Sequence, residues 1–377
     1  MSKKSGFLQV IIFLAFIGAF FVLNLVLPDR AFSQQENKYL QQAPKFTFQS
    51  LFSGKFTADF EKYTSDQFAF RDFWIPMKAG TELAEGKKEN NKVYYCGRDT
   101  LIKRFAQPDY SQTDRKLMAI SAFSEKADVP VYFGLIPGAA DIWNGKLPAN
   151  APGASQKEYI EYCYNNIGEK IKCADIYSML SSNSDKDIYY RTDHHWTSLG
   201  AYYGYVALGD TLGYTAPDVS SYSQRRMVTD DFLGTNSSSS GFVWVKPDSI
   251  ETFVDGDGVK VDNYKNGQNS EPVTSGLYVD SHLQEKDKYS VFLGGVTPLI
   301  HISTGNSGPS LLIVRDSYTD SLVPFLTADY SDIYLVDLRY FTDSVADYVK
   351  EHDIDSVLVL YSIDEFSSEK SVELLGQ

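Results

Sequence analysis

Histidine and cysteine are scarce in this 377-residue chain, five and three respectively, and the scarcity narrows its chemistry. No Cys-x-x-Cys and no His-x-x-x-His spacing occurs, so the usual sequence frames for a zinc site or a metalloprotease are missing. No metal and no cofactor are expected. Cys96, Cys163 and Cys173 are an odd set, which allows at most one internal disulfide; their spacing does not decide the pairing. Basic residues are outnumbered too, 35 Lys and Arg against 49 Asp and Glu, for a net charge of −14. Binding to phosphate backbones needs clustered cations, and no basic stripe appears downstream of the N-terminus, which argues against a nucleic-acid partner.

What is present is length enough for a buried core in one large domain or two smaller ones. Aromatic residues make up 14% of the chain, with 26 tyrosines, which suits stacking on sugars or ordinary half-buried strands. Ser5 to Pro28 carries no charge, and Phe7 to Leu27 is almost wholly apolar, long enough to cross a bilayer as a helix. Lys3 and Lys4 precede it; by the positive-inside tendency they stay in the cytoplasm and everything after Asp29 lies outside. A cleaved signal peptide is the rival reading, but the run is longer than a usual signal core and no clear small-x-small site follows. The expected organisation is a transmembrane signal anchor over 1–28, a spacer and amphipathic helical region over 29–90, and a main domain over 91–377 with an insertion at about 214–290.

Residues 30–48 are polar and read as a spacer. Apolar residues near helical spacing over 56–85 predict one or two amphipathic helices packed on the main domain, and Val93 to Lys103 reads as a hairpin. Strand, turn and helix then repeat: a helix over 112–127, a strand over 129–136, a helix at about 155–172, a strand-like run at 187–190, and a helix capped by Thr197 or Ser198. The stretch 214–290 breaks this rhythm, with β-like pieces at 242–245 and 250–254; its serine run at 235–241 reads on its own as low-complexity linker. Apolar strands at 310–314, 332–338 and 356–361, separated by helices at 319–329 and 342–352, imply parallel strands with right-handed crossovers. A site should then lie beyond their carboxyl ends, where Ser317, Arg339 and Ser362 fall.

Two of the five histidines stand side by side in Asp193-His194-His195-Trp196. An aspartate two residues before a histidine can accept the Nδ1 proton and leave Nε2 as a base. In an extended chain Asp193 and His195 leave one face and His194 the other. That alternation selects His195 as the base and argues against a divalent metal held by Asp193, His194 and His195. The nucleophile candidate is Ser317, where the run Leu311 to Val314 breaks into Arg315-Asp316-Ser317 ahead of an expected helix, whose N-terminal amides would meet an oxyanion.

With these residues placed, the chain resembles the DHHW family and, more distantly, the SGNH-like polysaccharide O-acetyltransferases that acetylate alginate outside the inner membrane. The matching pieces are Tyr63 to Asp72, Gly97 to Leu101, Thr192-Asp-His-His-Trp-Thr197, Phe232-Leu-Gly-Thr235, Phe292-Leu-Gly-Gly295, Asp316-Ser-Tyr318 and Val336 to Phe341. The resemblance implies an α/β fold of SGNH-hydrolase type, three layers α/β/α around a parallel sheet, with an irregular β-containing insertion and one preceding transmembrane helix. Asp193 and His195 precede Ser317, the order of those acetyltransferases and the reverse of ordinary SGNH hydrolases. This implies an acyl-serine mechanism in which Ser317, His195 and Asp193 are catalytic. Backbone at Gly294 and Gly295, the Arg339 charge, and Tyr318, Trp196 and His194 are the oxyanion or substrate candidates.

The implied protein is a membrane-anchored, extracytoplasmic O-acyltransferase or acetylesterase acting on a cell-surface or secreted polysaccharide. A multispanning membrane acyltransferase would supply acetyl drawn from the cytoplasm. The alternative is a catalytically inactive relative that binds glycan or scaffolds an envelope assembly. Access to Ser317 and its distance from His195 Nε2 separate the two.

Overall fold

Strand residues that alternate between two cores set the layers of this protein. The structure is a computed structural model that describes residues 3–376, and the chain divides into two compact units, residues 1–90 with 238–243 and residues 91–237 with 244–377.

In the first unit, α1 (Lys3–Val26) carries an apolar span from Gly6 to Val26, long enough to cross a membrane as an anchor and equally consistent with a signal sequence. The side chains of Lys3 and Lys4 lie outside those described. The amphipathic stretch forms α2 (Lys55–Asp66) and α3 (Arg71–Ala84). The polar segment before them is tied down rather than a free spacer. Lys38 Nζ lies 2.9 Å from Asp66, Arg30 2.6 Å from Asp72, and Arg71 2.6 Å from Glu36.

The second unit opens with the expected hairpin, β1 (Val93–Tyr95) against β2 (Leu101–Lys103). In chain order there follow α4 (Tyr110–Ala127), β3 (Val131–Ile136), α5 (Gln156–Asn166), β4 (Lys172–Ala174), α6 (Ser198–Leu212), β5 (Arg226–Phe232) and β6 (Asp248–Thr252). Then come β7 (Lys260–Tyr264), β8 (Val273–Ser275), β9 (Leu299–Ser303), β10 (Ser310–Arg315), β11 (Asp332–Val336), α7 (Val345–Glu351), β12 (Ser356–Ser362) and α8 (Ile363–Ser368). Eight strands make one sheet in the order β8-β7-β9-β11-β10-β12-β3-β4. From β11 to β4 every pairing is parallel, while β8, β7 and β9 extend the sheet antiparallel.

Successive strand residues point to opposite faces. Leu311 and Ile313 of β10 pack with Leu358, Leu360 and the α6 residues Ala201, Tyr205 and Leu208. Leu312 and Val314 enter the other core with Val357, Val359 and Leu117, Ile120 and Phe123 of α4. Helices thus cover both faces of the sheet, the three-layer α/β/α arrangement.

Several local expectations differ. Half of the insertion is structural: β7 and β8 lengthen the main sheet, and only β5 and β6 form a separate pair. Residues 242–245 are turns rather than strand, and the serine run lies in a short helix, Thr235–Ser240. The helix expected over 319–329 is instead a 3-10 turn, Ser317–Ser321, followed by the four-residue helix Val323–Leu326. Pro324 explains the break: it lacks an N–H and is tolerated only in a first helical turn, so a helix restarts there. Cys96, Cys163 and Cys173 are all free thiols.

Candidate active site

The histidines sit on the tip of a tight loop rather than on a sheet strand. Tyr189 bridges Trp196, Tyr190 N–H donates to the His195 carbonyl at 3.2 Å, and Thr197 N–H donates to the Ile188 carbonyl at 3.0 Å. Asp248, buried on β6, fixes the ascending arm: it accepts the Thr192 N–H at 2.8 Å, the Thr192 hydroxyl at 2.7 Å and the Arg191 N–H at 3.1 Å. The descending arm ends where Thr197 Oγ1 accepts the Gly200 N–H and starts α6. Trp196 is fully buried. A Cβ on Gly204 would lie 2.6 Å from its ring, so α6 offers this indole a seat that only glycine leaves open. Trp196 is thus packed into the core against α6, with its ring closed off from the surface.

Between the arms the chain bends at 191–195, so the alternation of an extended strand does not apply. The rings of His194 and His195 lie on one side, centroids 3.9 Å apart. Hydrogen bonding distinguishes them. Asp193 Oδ1 lies 2.6 Å from His195 Nδ1 and accepts the His195 N–H at 2.9 Å. Its other oxygen accepts the Thr235 N–H at 2.7 Å and the Thr235 hydroxyl at 2.9 Å. His195 Nε2 is 2.8 Å from Ser317 Oγ. His194 turns its Nδ1 to Thr235 Oγ1 at 2.6 Å.

Burial alone would raise the Asp193 carboxyl, but the two imidazoles and the Thr235 amide outweigh it and hold the group well below the usual carboxylate range. An ionised carboxylate only accepts, so His195 Nδ1 carries the proton and Nε2 presents its lone pair to the Ser317 hydroxyl. Burial, reinforced by the neighbouring His195, pushes the His194 imidazole down to about 3, which keeps it neutral.

Ser317 follows the carboxyl end of β10 and is half-buried. Its turn is held from three sides. Asp316 accepts the Tyr318 N–H at 3.0 Å and, from the end of β12, the Ser362 N–H at 2.8 Å. Trp196 Nε1 donates to the Tyr318 carbonyl and to Ser321 Oγ, both at 3.0 Å, while the Tyr318 hydroxyl donates to the His194 carbonyl. Tyr289 lies flat on the His195 ring, centroids 3.8 Å and planes 6° apart, and its hydroxyl donates to the Ser317 carbonyl at 3.2 Å. Beneath the turn Arg315 and Asp320 form a buried ion pair at 2.9 Å.

The structure thus brings Asp193, His195 and Ser317 together with His194 and Tyr318. It commits most of the oxyanion and substrate candidates elsewhere. The Tyr318 amide serves Asp316, the Gly294 N–H donates to the Ser290 carbonyl at 3.1 Å, and Gly295 lies in the same left-handed turn. The Arg339 guanidinium is held by Asp337 at 2.7 Å and Glu365 at 2.9 Å. Ser317 opens a five-residue 3-10 turn, so no long helix directs its amides at the hydroxyl. Asp193, His194 and His195 do place potential metal-ligand atoms within 4.8 Å of one another, which removes the argument from opposite faces. Hydrogen bonds, however, already engage both Asp193 oxygens, both His195 nitrogens and His194 Nδ1.

Sequence reasoning does not find Thr235, Asp248 or Tyr289 as site residues, nor Gly234, where a Cβ would lie 2.3 Å from Asp193. Thr235 lies inside Phe232-Leu-Gly-Thr235, and Tyr289 three residues before Phe292-Leu-Gly-Gly295. Those repeated motifs were the available signal, but nothing in their spacing pointed to Asp193 or His195.

The comparisons with known proteins agree with this architecture. A DHHW family protein from Eubacterium siraeum superposes with a TM-score of 0.67 at 24% identity, covering 76% of this chain and 95% of that one. Bacillus cereus PatB1 superposes with a TM-score of 0.61 at 19% identity over 74% of this chain and 98% of its own. A second structure of PatB1, bearing a sulfonyl adduct, gives 0.60 at 20% identity over 72% and 95%. No curated protein matches. The likeness is one of fold, an α/β architecture around a largely parallel sheet. The family described as DHHW protein matches residues 109–336, a span that contains both the histidine loop and Ser317, and the chain belongs to that family.

Proposed function

We propose that Ser317, His195 and Asp193 are the nucleophile, the base and its orienting carboxylate in an O-acetyltransferase or acetylesterase that acts on a polysaccharide outside the cytoplasm. The 2.8 Å approach of Ser317 Oγ to His195 Nε2 carries this reading, and the partial exposure of Ser317 favours it over an inactive glycan binder or scaffold. In this scheme Ser317 Oγ attacks the acetyl carbonyl carbon while its proton passes to His195 Nε2. Collapse of the tetrahedral intermediate expels the donor oxygen, which takes that proton. A sugar hydroxyl, or water, then attacks acetyl-Ser317 and gives its proton to Nε2, and the Ser317 oxygen recovers it on leaving. Asp193 keeps the imidazole in the required tautomer, and the Tyr289 face supports the ring as it becomes cationic. Where the acetyl group is drawn from the cytoplasm, a multispanning membrane acyltransferase supplies it, and α1 anchors the protein with its N-terminus in the cytoplasm.

The test is incubation with p-nitrophenyl acetate, reading p-nitrophenol release and an acetyl adduct by intact mass. Phenylmethylsulfonyl fluoride offers a second probe, since PatB1 is known with a sulfonyl adduct. Wild type is expected to acquire either group on Ser317, and Ser317→Ala neither, with an unchanged melt. Full activity in Ser317→Ala refutes the scheme.

A further inference from the structure

Soluble surfaces scatter single apolar side chains but seldom gather them, and the unit made of residues 1–90 and 238–243 gathers aromatic rings. Phe68 and Phe70 lie in the turn between α2 and α3, and Phe73 follows on α3; all three are exposed, Phe70 at 57% and Phe73 at 58%. This turn has a fixed height along α1. Phe20 of α1 stacks on Phe68, centroids 5.5 Å and planes 4° apart, and meets Phe70 at 6.5 Å and Trp74 at 5.7 Å. Asn24 Oδ1 accepts the Ala69 N–H at 2.8 Å. Phe20 lies six residues before the end of the apolar span at Val26, so at about 1.5 Å per residue these rings sit roughly 9 Å inside that end.

A turn carried to that depth must satisfy its own backbone, because hydrocarbon offers no partner. It does so. The Ala69 carbonyl accepts Trp74 Nε1–H at 3.1 Å, the Phe68 carbonyl accepts the Arg71 N–H at 3.0 Å, and the Phe70 carbonyl accepts the Phe73 N–H at 2.9 Å. The charged groups of the same region are neutralised in pairs, Arg30 with Asp72 and Arg71 with Glu36. Interfacial segments bury their apolar side about 5–10 Å into the boundary of headgroups and acyl chains, with aromatic rings at that level.

We infer that the α2–α3 turn, with Phe68, Phe70 and Phe73, is a membrane foot that rests in the outer lipid leaflet beside α1. It rests on the anchor reading proposed above, and the occupant of the aromatic surface is lipid rather than a protein. The foot fixes the height and tilt at which the chain leaves the bilayer, which a single flexible tether would not do.

Full-length protein carrying p-benzoylphenylalanine at position 70, and separately at position 14 within α1, is reconstituted into vesicles of phosphatidylcholine and phosphatidylglycerol, irradiated and analysed by intact mass. Lipid adducts in comparable yield at both positions are expected. Adduct at position 14 with none at position 70 overturns the foot and leaves the anchor standing. Adduct at neither position overturns the anchor and the foot together.

Discussion

Gly234→Ala tests whether the Asp193 carboxylate is held by space as well as by hydrogen bonds. A Cβ at position 234 would lie 2.3 Å from both Cβ and Oδ2 of Asp193, while ordinary contact begins at 3.4 Å, so something must move by about 1.1 Å. Two movements are available. Asp193 can swing away, carrying the acceptor of His195 Nδ1 with it, or the 233–235 segment can retreat and lose the two Thr235 bonds to Oδ2. Both disturb the base, and misplacing a catalytic group by about 1 Å costs on the order of 10²-fold in rate. Overpacking a filled site also costs about 1–3 kcal/mol of stability. The assay compares the rate of acetyl-Ser317 formation with the melting temperature. Thr235→Ser serves as the control, because it keeps both donors and adds no bulk at 234. Acylation in Gly234→Ala within about twofold of wild type, far short of the expected 10²-fold loss, would falsify the idea that close packing at Gly234 positions the carboxylate.

His195→Ala should lose about three or more orders of magnitude in acyl transfer, and His194→Ala far less, since Tyr318 bonds the His194 main chain; side-by-side rates and melts decide, and a dead but folded His194→Ala beside an active His195→Ala reverses the assignment. Asp193→Asn should lose about 10⁴-fold through the wrong imidazole tautomer. Because the native Asp193 carboxyl is held low, its stabilising contribution is present above the unfolded value near pH 4 and is lost as pH falls through the lower folded value. Wild type should therefore lose melting temperature more steeply than Asp193→Asn below about pH 4, and parallel curves would show that the carboxylate is not held low. Tyr289→Phe keeps the stack on His195 but drops the hydroxyl bonds to the Ser317 carbonyl and Ser321, costing about 1 kcal/mol in the melt with little loss of rate. Tyr289→Ala should lower the rate well beyond Tyr289→Phe, and equal rates in the two variants remove the stack from the argument.

The parallel half of the sheet was legible because β10, β11 and β12 are continuous apolar runs buried on both faces, a pattern that needs no context. β9 was not singled out, although Leu299-Ile-His-Ile-Ser303 alternates. β7 and β8 carry Lys, Asp, Asn and Thr that only sheet pairing makes strand-like. At the site, the residue types and their chain order were enough to bring Asp193, His195 and Ser317 into one hypothesis. Strand alternation does not rank the histidines, because the backbone bends at 191–195 and the two rings share a side. What separates them is Asp193, which gives Oδ1 to one ring at 2.6 Å and stands 3.5 Å from the other. That asymmetry depends on Thr235 and Asp248, more than forty residues downstream, and so could not be read locally.

The latch between the histidine loop and the serine turn has a consequence for the chain before it is folded. Trp196 and His194 are joined to Tyr318 across 122 and 124 residues, and the entropy of closing so long a loop must be offset by the sheet built in between. A chain that has docked β10 and β12 but not yet seated Trp196 therefore holds a serine with no base beside it. On the proposed activity, a chain in which this long-range contact is still open is chemically silent, and the ability to capture an acyl group appears only once it closes.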